Sequence, residues 1–350
     1  MSLDTLFDIK NIICLYFYDL KDAINLYNLN KDHQNNIIIT NLYDIPEKYL
    51  QRLDQKIIEQ NKYSYIEKLY AYNNKKIENV NHVKNTQVAR DGQKLCLLKI
   101  LNCDYNNAID QNSILELNLI ELYANHNEKI QNVNYMKNTL KILYCSYGCG
   151  INQNGISELN LVELNAQNNK KIKNVNHMKN TLKILDCGRK CGIDQNGISE
   201  LNLIQLYATG NKKIVNVNHM KNTLKILYCG WKCGIDQNGI SQLNLVELNA
   251  TENQKIENIN HMKNTLKILC CCGNCGIDQN GISELNLIEL NANVNKKIKN
   301  VNHMKTTLSK LYCNGYCCGI DQNGISQLNL IELYANENEK IKNKNISSKK

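Results

Sequence analysis

Four cysteine pairs, Cys145/Cys149, Cys187/Cys191, Cys229/Cys233 and Cys271/Cys275, repeat a C-x-x-x-C spacing, and His177, His219, His261 and His303 recur with them every 42 residues. His82 and Tyr135 hold matching places earlier in the chain. Thiols and imidazoles at regular spacing could hold zinc, and a cysteine beside a histidine could act as a nucleophile. Zinc needs four donors converging at about 2.0–2.3 Å from one ion, so the question is which elements carry these residues and how far apart they hold them.

From about Asn112 one block recurs nearly unchanged. Its anchors Ser113, Gly155, Gly197, Gly239 and Gly281 are 42 residues apart, and Gly324 follows after 43 because one residue is inserted near Cys317. Each block divides into halves of 21. Leu161, Leu182, Leu203, Leu224, Leu245, Leu266, Leu287 and Leu308 mark them, each followed three residues later by another Leu and two further on by Ala or Cys in alternation. Thirteen turns can be traced, from Ile66, Leu69 and Ala71 to Leu333, Ala335 and Ile341, with an 11-residue insertion around Gln87 to Leu97 after the first. Leu-x-(Ala/Cys) alternation describes a short strand with apolar residues inward. Strands are expected to centre on Leu143, Leu164, Leu185, Leu206, Leu227, Leu248, Leu269 and Leu290, stacked in a parallel sheet. A 21-residue turn leaves little room for a full helix, so extended or 3-10 return segments are expected. At about 4.8 Å per strand, thirteen turns span roughly 60 Å.

The unit Leu-x-x-Leu-x-(Ala/Cys), with an Ile six residues on, resembles the leucine-rich repeat, departing by one extra residue before the Ile and by Ala or Cys for the third Leu. The resemblance covers residues 63–343. It implies an α/β solenoid with a parallel β-sheet on the concave face, closed by a small helical N-terminal cap over residues 1–62 and ending in a polar basic tail, 344–350.

Stacking decides the chemistry. Equivalent cysteines lie two turns apart, roughly 10 Å, too far to share one ion and beyond the about 7 Å between Cα atoms that a disulfide needs. The histidines are separated in the same way, with no triad at consistent offsets. The asparagine ladder Asn127, Asn169, Asn211, Asn253, Asn295 and Asn338 is expected to bond backbone groups of the turns. No glycine-rich phosphate loop occurs. No catalytic residue, cofactor or metal is expected.

The copies agree in the core and differ just after each strand: YCSYGC (144–149), DCGRKC (186–191), YCGWKC (228–233) and CCCGNC (270–275). Identical scaffolding with varied contacts suits a partner-binding array. Strand alternation places two rows on the concave face: Glu121, Ile142, Glu163, Ile184, Gln205, Ile226, Glu247, Ile268 and Glu289, and a row containing Tyr123, Tyr144, Tyr207, Tyr228, Tyr312 and Tyr334. The expected partner-binding residues are Tyr144, Ile184, Asp186, Arg189, Tyr207, Ile226, Tyr228, Trp231 and Tyr312, gathered around Trp231, the one tryptophan of the chain. Exposed Ile and Tyr relieved by carboxylates suit a protein interface. Nucleic acid fits less well despite a net charge of +9, because phosphates need Lys and Arg on that face.

Residues 1–62 lack the repeat and read as helices. Within them 15–37 is similar to an F-box, the match carried by Leu20, Lys21, Asp22, Ile24, Leu26, Leu29 and Lys31 without the usual opening Leu-Pro. That resemblance implies docking of a Skp1-like adaptor through Leu20, Asp22, Ile24, Leu26 and Leu29, and hence a ubiquitin-ligase substrate adaptor as the second reading. A nucleic-acid binder is the third. The 60 Asn, with many Lys and Ile, reflect AT-rich coding. The chain looks like the leucine-rich-repeat proteins of giant DNA viruses of the Mimivirus type, which implies work in the host cytoplasm. No apolar run has the length of a membrane span, no signal-peptide pattern opens the chain, and 16 cysteines without one indicate a reducing, cytoplasmic setting.

Overall fold

A computed structural model of the chain describes residues 41–42, 52–60, 66–81, 87–88, 94–95, 98–342 and 345–347. Two compact units form, Met1–Leu164 and Asn165–Lys350. Both are built from the same turn: a three-residue strand, a tight bend, an extended segment and a single 3-10 turn.

In the first unit β1 (Asn41–Leu42), β2 (Lys68–Tyr70), β5 (Ile100–Asn102), β6 (Glu121–Tyr123) and β7 (Ile142–Tyr144) pair in parallel, aligning Leu69, Leu101, Leu122 and Leu143. The insertion after the first repeat closes on itself as an antiparallel hairpin, β3 (Gln87–Val88) with β4 (Lys94–Leu95). The unit boundary falls within β8 (Glu163–Asn165).

The second unit contains β9 (Ile184–Asp186), β10 (Gln205–Tyr207), β11 (Ile226–Tyr228), β12 (Glu247–Asn249), β13 (Ile268–Cys270), β14 (Glu289–Asn291), β15 (Lys310–Tyr312) and β16 (Glu332–Tyr334), successive members of this series pairing in parallel. β17 (Asn345–Ser347), from the basic tail, pairs antiparallel with β16. The thirteen repeat strands, β2 and β5–β16, stand at the expected positions, and the fold is that of a leucine-rich-repeat solenoid with 3-10 return turns.

The repeat residues explain the turn. Every central Leu is buried, and Ala208, Cys229, Ala250 and Cys271 fill the next inward slots, where the side chains are uniformly small. Each ladder asparagine secures the bend behind it. Asn253 Nδ2 donates to the carbonyls of Cys229 and Ile235 at 2.8 and 3.0 Å, and its Oδ1 accepts from Lys255 N at 3.0 Å. Removing such an amide would leave two buried carbonyls unsatisfied, at about 1–3 kcal/mol each. On the return side a Cβ on Gly239 would lie 2.1 Å from the Val215 carbonyl oxygen of the preceding turn, so the 42-residue glycine marks a close backbone approach. Ser113 stands at the equivalent place, with its hydroxyl donating to Glu78 O at 2.7 Å.

Of the N-terminal segment read as helices, the described residues include a short strand as well as a helical turn. Asn41–Leu42 is a strand on the edge of β2, and the described helix is one turn, α1 (Gln55–Ile58), capped by Asp54, whose Oδ1 accepts from Ile57 N at 2.9 Å. Asn74 Nδ2 donates to Leu53 O at 2.9 Å, as the later ladder asparagines do to the turn before them. Leu20, Asp22, Ile24, Leu26 and Leu29, with the rest of the F-box-like stretch, lie outside the described residues.

Candidate partner-binding surface

From β6 to β16 each repeat strand buries its central Leu and leaves the flanking residues half-buried on the other face. On β9–β11 this brings Ile184, Asp186, Tyr207, Ile226 and Tyr228 side by side, with Tyr207 in register between Asp186 and Tyr228. The Tyr207 and Tyr228 rings meet edge-on, centroids 4.8 Å apart. Their hydroxyls are directed by the neighbouring row: Tyr207 Oη donates to Gln205 Oε1 at 3.1 Å, and Tyr228 Oη donates to Glu247 Oε1. Burial, reinforced by the hydrogen bond to Glu247, pushes the Tyr228 phenol up. Burial also raises the Asp186 carboxyl, opposed by its acceptance of a hydrogen bond from Gly188 N at 3.0 Å.

The remaining expected residues lie elsewhere. Tyr312 is on β15, four strands beyond Tyr228, stacked on Tyr334 at 4.7 Å with Lys310 Nζ 5.4 Å from its centroid. Tyr144 belongs to the first unit, where it packs against Tyr123 at 4.8 Å and donates to Glu163.

Arg189 and Trp231 sit on the tight bends after β9 and β11. The residue at this bend position has a positive φ in turn after turn: Asn73, Tyr105, His126, Tyr147 and then Asn168, Arg189, Gly210, Trp231, Glu252, Gly273, Val294, Gly315 and Glu337. A left-handed backbone costs an L-residue about 1–2 kcal/mol. Gly273 and Gly315 avoid that cost, whereas Trp231 (φ 39°) and Lys232 (φ 58°) are consecutive left-handed residues with full side chains. Trp231 and Arg189 are two turns apart and still meet, the guanidinium carbon 5.7 Å from the ring centroid, with Lys232 Nζ at 5.6 Å. Gly210, on the bend between them, makes this possible: a Cβ there would come 3.1 Å from Trp231 Cε3 and 3.4 Å from Arg189 Cγ. Trp231 remains 49% exposed.

In the first unit aromatic rings line the bends. Tyr72, Tyr105, His126 and Tyr147 form a continuous file of rings at 5.5, 4.0 and 5.1 Å. Residue-by-residue reading of the strands did not anticipate this file, because the residue type at the bend varies freely. It also passed over Ile204, Val246, Ile288 and Ile331, a row of exposed aliphatics just before the strands. Their signal was present as an Ile or Val directly after the first Leu of every second turn.

The cysteine and histidine ladders are built into the stack. Cys187, Cys229 and Cys271 are fully buried and desolvation raises their thiols well above the ordinary value; Cys191, Cys233 and Cys275 are buried and pushed up to about 11 for the same first reason. The Nε2 atoms of His219, His261 and His303 lie 3.1–3.2 Å from the carbonyls of Ile198, Ile240 and Ile282 in the turn before. Among the described residues no three His, Cys, Asp or Glu side chains are grouped to hold a metal ion.

No known family model and no curated protein matches this chain. Among solved structures it is similar to one from the Rad7–Elc1 complex of yeast, at 16% identity over 98% of this chain and 95% of that one, with a TM-score of 0.47. It is also similar to an internalin, InlF, of Listeria monocytogenes, at 19% identity over 76% and 86% with a TM-score of 0.40. The functional domain of InlJ from the same organism, which includes a cysteine ladder, matches at 16% identity over 75% and 70% with a TM-score of 0.29.

Proposed function

We propose that this protein is a non-catalytic scaffold that binds a partner protein, in a reducing cytoplasm, through the strand face of β9–β11 and the bends that follow it. The observation that carries the reading is the cluster of fixed aromatics, Tyr207 and Tyr228 held by Gln205 and Glu247 and Trp231 held by Arg189. Rings already oriented by internal contacts lose little freedom on binding, and Trp, Tyr and Arg dominate interface hot spots, costing about 2 kcal/mol or more when truncated. Ile184, Ile226 and Asp186 supply the apolar and polar surround; Tyr144 and Tyr312, on other strands, would engage only a partner extending beyond this cluster. The histidines placed against carbonyls and the buried thiols support a role without catalysis, and the free cysteines suit a reducing compartment.

Trp231→Ala and Tyr228→Ala are expected to lose a stoichiometric partner captured by the wild-type chain from its native cells, with the unfolding midpoint nearly unchanged. Capture of the same partner by both variants, or loss only together with unfolding, overturns the assignment. The F-box-like stretch 15–37 adds the narrower proposal of a ubiquitin-ligase adaptor. Its support is the sequence match alone, and its test is co-purification of a Skp1-like protein with the full chain that Leu20→Asp and Leu26→Asp abolish; co-purification unchanged by both excludes it.

A further inference from the structure

Along the return side three exposed lysines are neutralised in register. Lys137, Lys179 and Lys263 each pair with the glutamate 21 residues on, Glu158, Glu200 and Glu284, at 2.6 Å. The bends after β9 and β11 differ. Arg189, Lys190 and Lys232 are exposed, and among the described residues none of them has a carboxylate within ion-pair distance. The neighbouring acids point elsewhere. Asp186 is turned to Gly188 N, and Glu252, on the next bend, lies over Gly273, whose Cβ position its Oε1 would occupy. Unopposed cations therefore surround the one exposed indole.

We infer that the Arg189–Trp231–Lys232 cluster recognises a short, extended segment of a protein partner that carries closely spaced aspartates or glutamates. The inference rests on the scaffold reading above and names the chemistry of what docks there. The dimensions suit such a segment. The bends after β9 and β11 are separated by two strand spacings, roughly 10 Å. Alternate residues of an extended peptide are about 7 Å apart, so carboxylates at i and i+2 would pair one with the guanidinium and one with the ammonium, with the intervening aliphatic atoms against the indole. Arginine offers a carboxylate two parallel donors, and Gly210 has no side chain to separate the guanidinium from the ring. A nucleic acid fits this surface less well. The bend row beyond Trp231 becomes Glu252, Gly273, Val294, Gly315 and Glu337, and the adjoining strands carry Glu247 and Glu289, so no cationic track continues for a phosphate backbone.

Trp231 is the sole tryptophan beside 19 tyrosines, so fluorescence excited beyond the tyrosine absorption band reports this site alone. The experiment titrates the wild-type protein with an acetylated hexapeptide of alternating Asp and Gly, the same peptide with Asn for Asp, and a thymidine oligonucleotide of equal charge. A saturable change with the acidic peptide is expected, together with a much weaker response to the other two and a decline as salt is raised. Arg189→Gln/Lys232→Gln, with its fold checked by circular dichroism and unfolding midpoint, is expected to bind the acidic peptide about tenfold or more weakly. No saturable change in the wild type, equal binding by the double variant, or equal or tighter binding of the oligonucleotide overturns the inference. The two readings separate cleanly. Loss of whole-partner capture in Tyr228→Ala with no peptide response leaves the scaffold reading standing alone, and a peptide response with capture untouched by Tyr228→Ala removes the strand face from it.

Discussion

Trp231 occupies a backbone position that suits it badly. Its counterparts two and four turns later are Gly273 and Gly315, which adopt φ values of 65° and 95° without a Cβ penalty. Trp231 and Lys232 accept the left-handed region together, and such outliers persist where the surroundings hold them and cluster at functional sites. Here the holding contacts are the Arg189 guanidinium, the Lys232 ammonium and the bare Gly210 backbone. Glycine tolerates this φ without a Cβ penalty and alanine does not. Trp231→Gly is therefore expected to be more stable than Trp231→Ala by about 1 kcal/mol, with both variants equally deficient in acidic-peptide binding. Urea unfolding of the two variants measures this difference directly, and an Ala variant as stable as the Gly variant would show that the bend carries no strain.

At the scale of the element, legibility followed side-chain periodicity. The strands were readable because Leu206, Leu227 and Leu248 each sit in the same slot 21 residues apart, and the inward positions admit only Ala or Cys. The 3-10 return turns followed from turn length, since 21 residues cannot hold a strand, two bends and a full helix. The edge strands were not readable. β1 and β17 are short, and their pairing is templated by the open edges of β2 and β16, so backbone hydrogen bonding and not a side-chain pattern forms them. The hairpin β3–β4 sits inside an insertion with no repeat to set its register. The candidate site was half readable. Tyr207, Tyr228 and Trp231 stood out by type and place, but the left-handed bend row is invisible in the sequence because Asn, Tyr, His, Arg, Gly, Trp, Glu and Val all occupy it. The contact of Arg189 with Trp231 depends on the missing side chain of Gly210, a residue that belongs to neither turn of the pair.

For the whole molecule, the question raised by the cysteines is whether the fold depends on a metal. Burial of a Leu or Ile contributes about 1.5–3 kcal/mol relative to exposure, and every turn of the second unit from β10 to β14 adds several such residues, such as Leu224, Leu227, Ile235, Ile240 and Leu243, to a continuous core. Zinc would have to draw protons from thiols that burial holds far above their ordinary value, Cys191, Cys233 and Cys275 at about 11, since only the thiolate binds. The same shifts fix the sign of a pH dependence. A thiol whose pKa is raised in the folded chain stabilises it fully below the unfolded value of 9.0 and progressively less as pH rises towards 11. The purified protein is therefore expected to keep its unfolding midpoint in excess chelator at neutral pH, to hold less than stoichiometric zinc by elemental analysis, and to lose stability between pH 9 and 11. Replacing Cys191, Cys233 and Cys275 together by Ala should blunt that alkaline loss, because the substituted core has no thiol left to ionise at those positions. Stoichiometric zinc whose removal lowers the neutral midpoint would instead make the cysteine ladder a metal-dependent element of the fold.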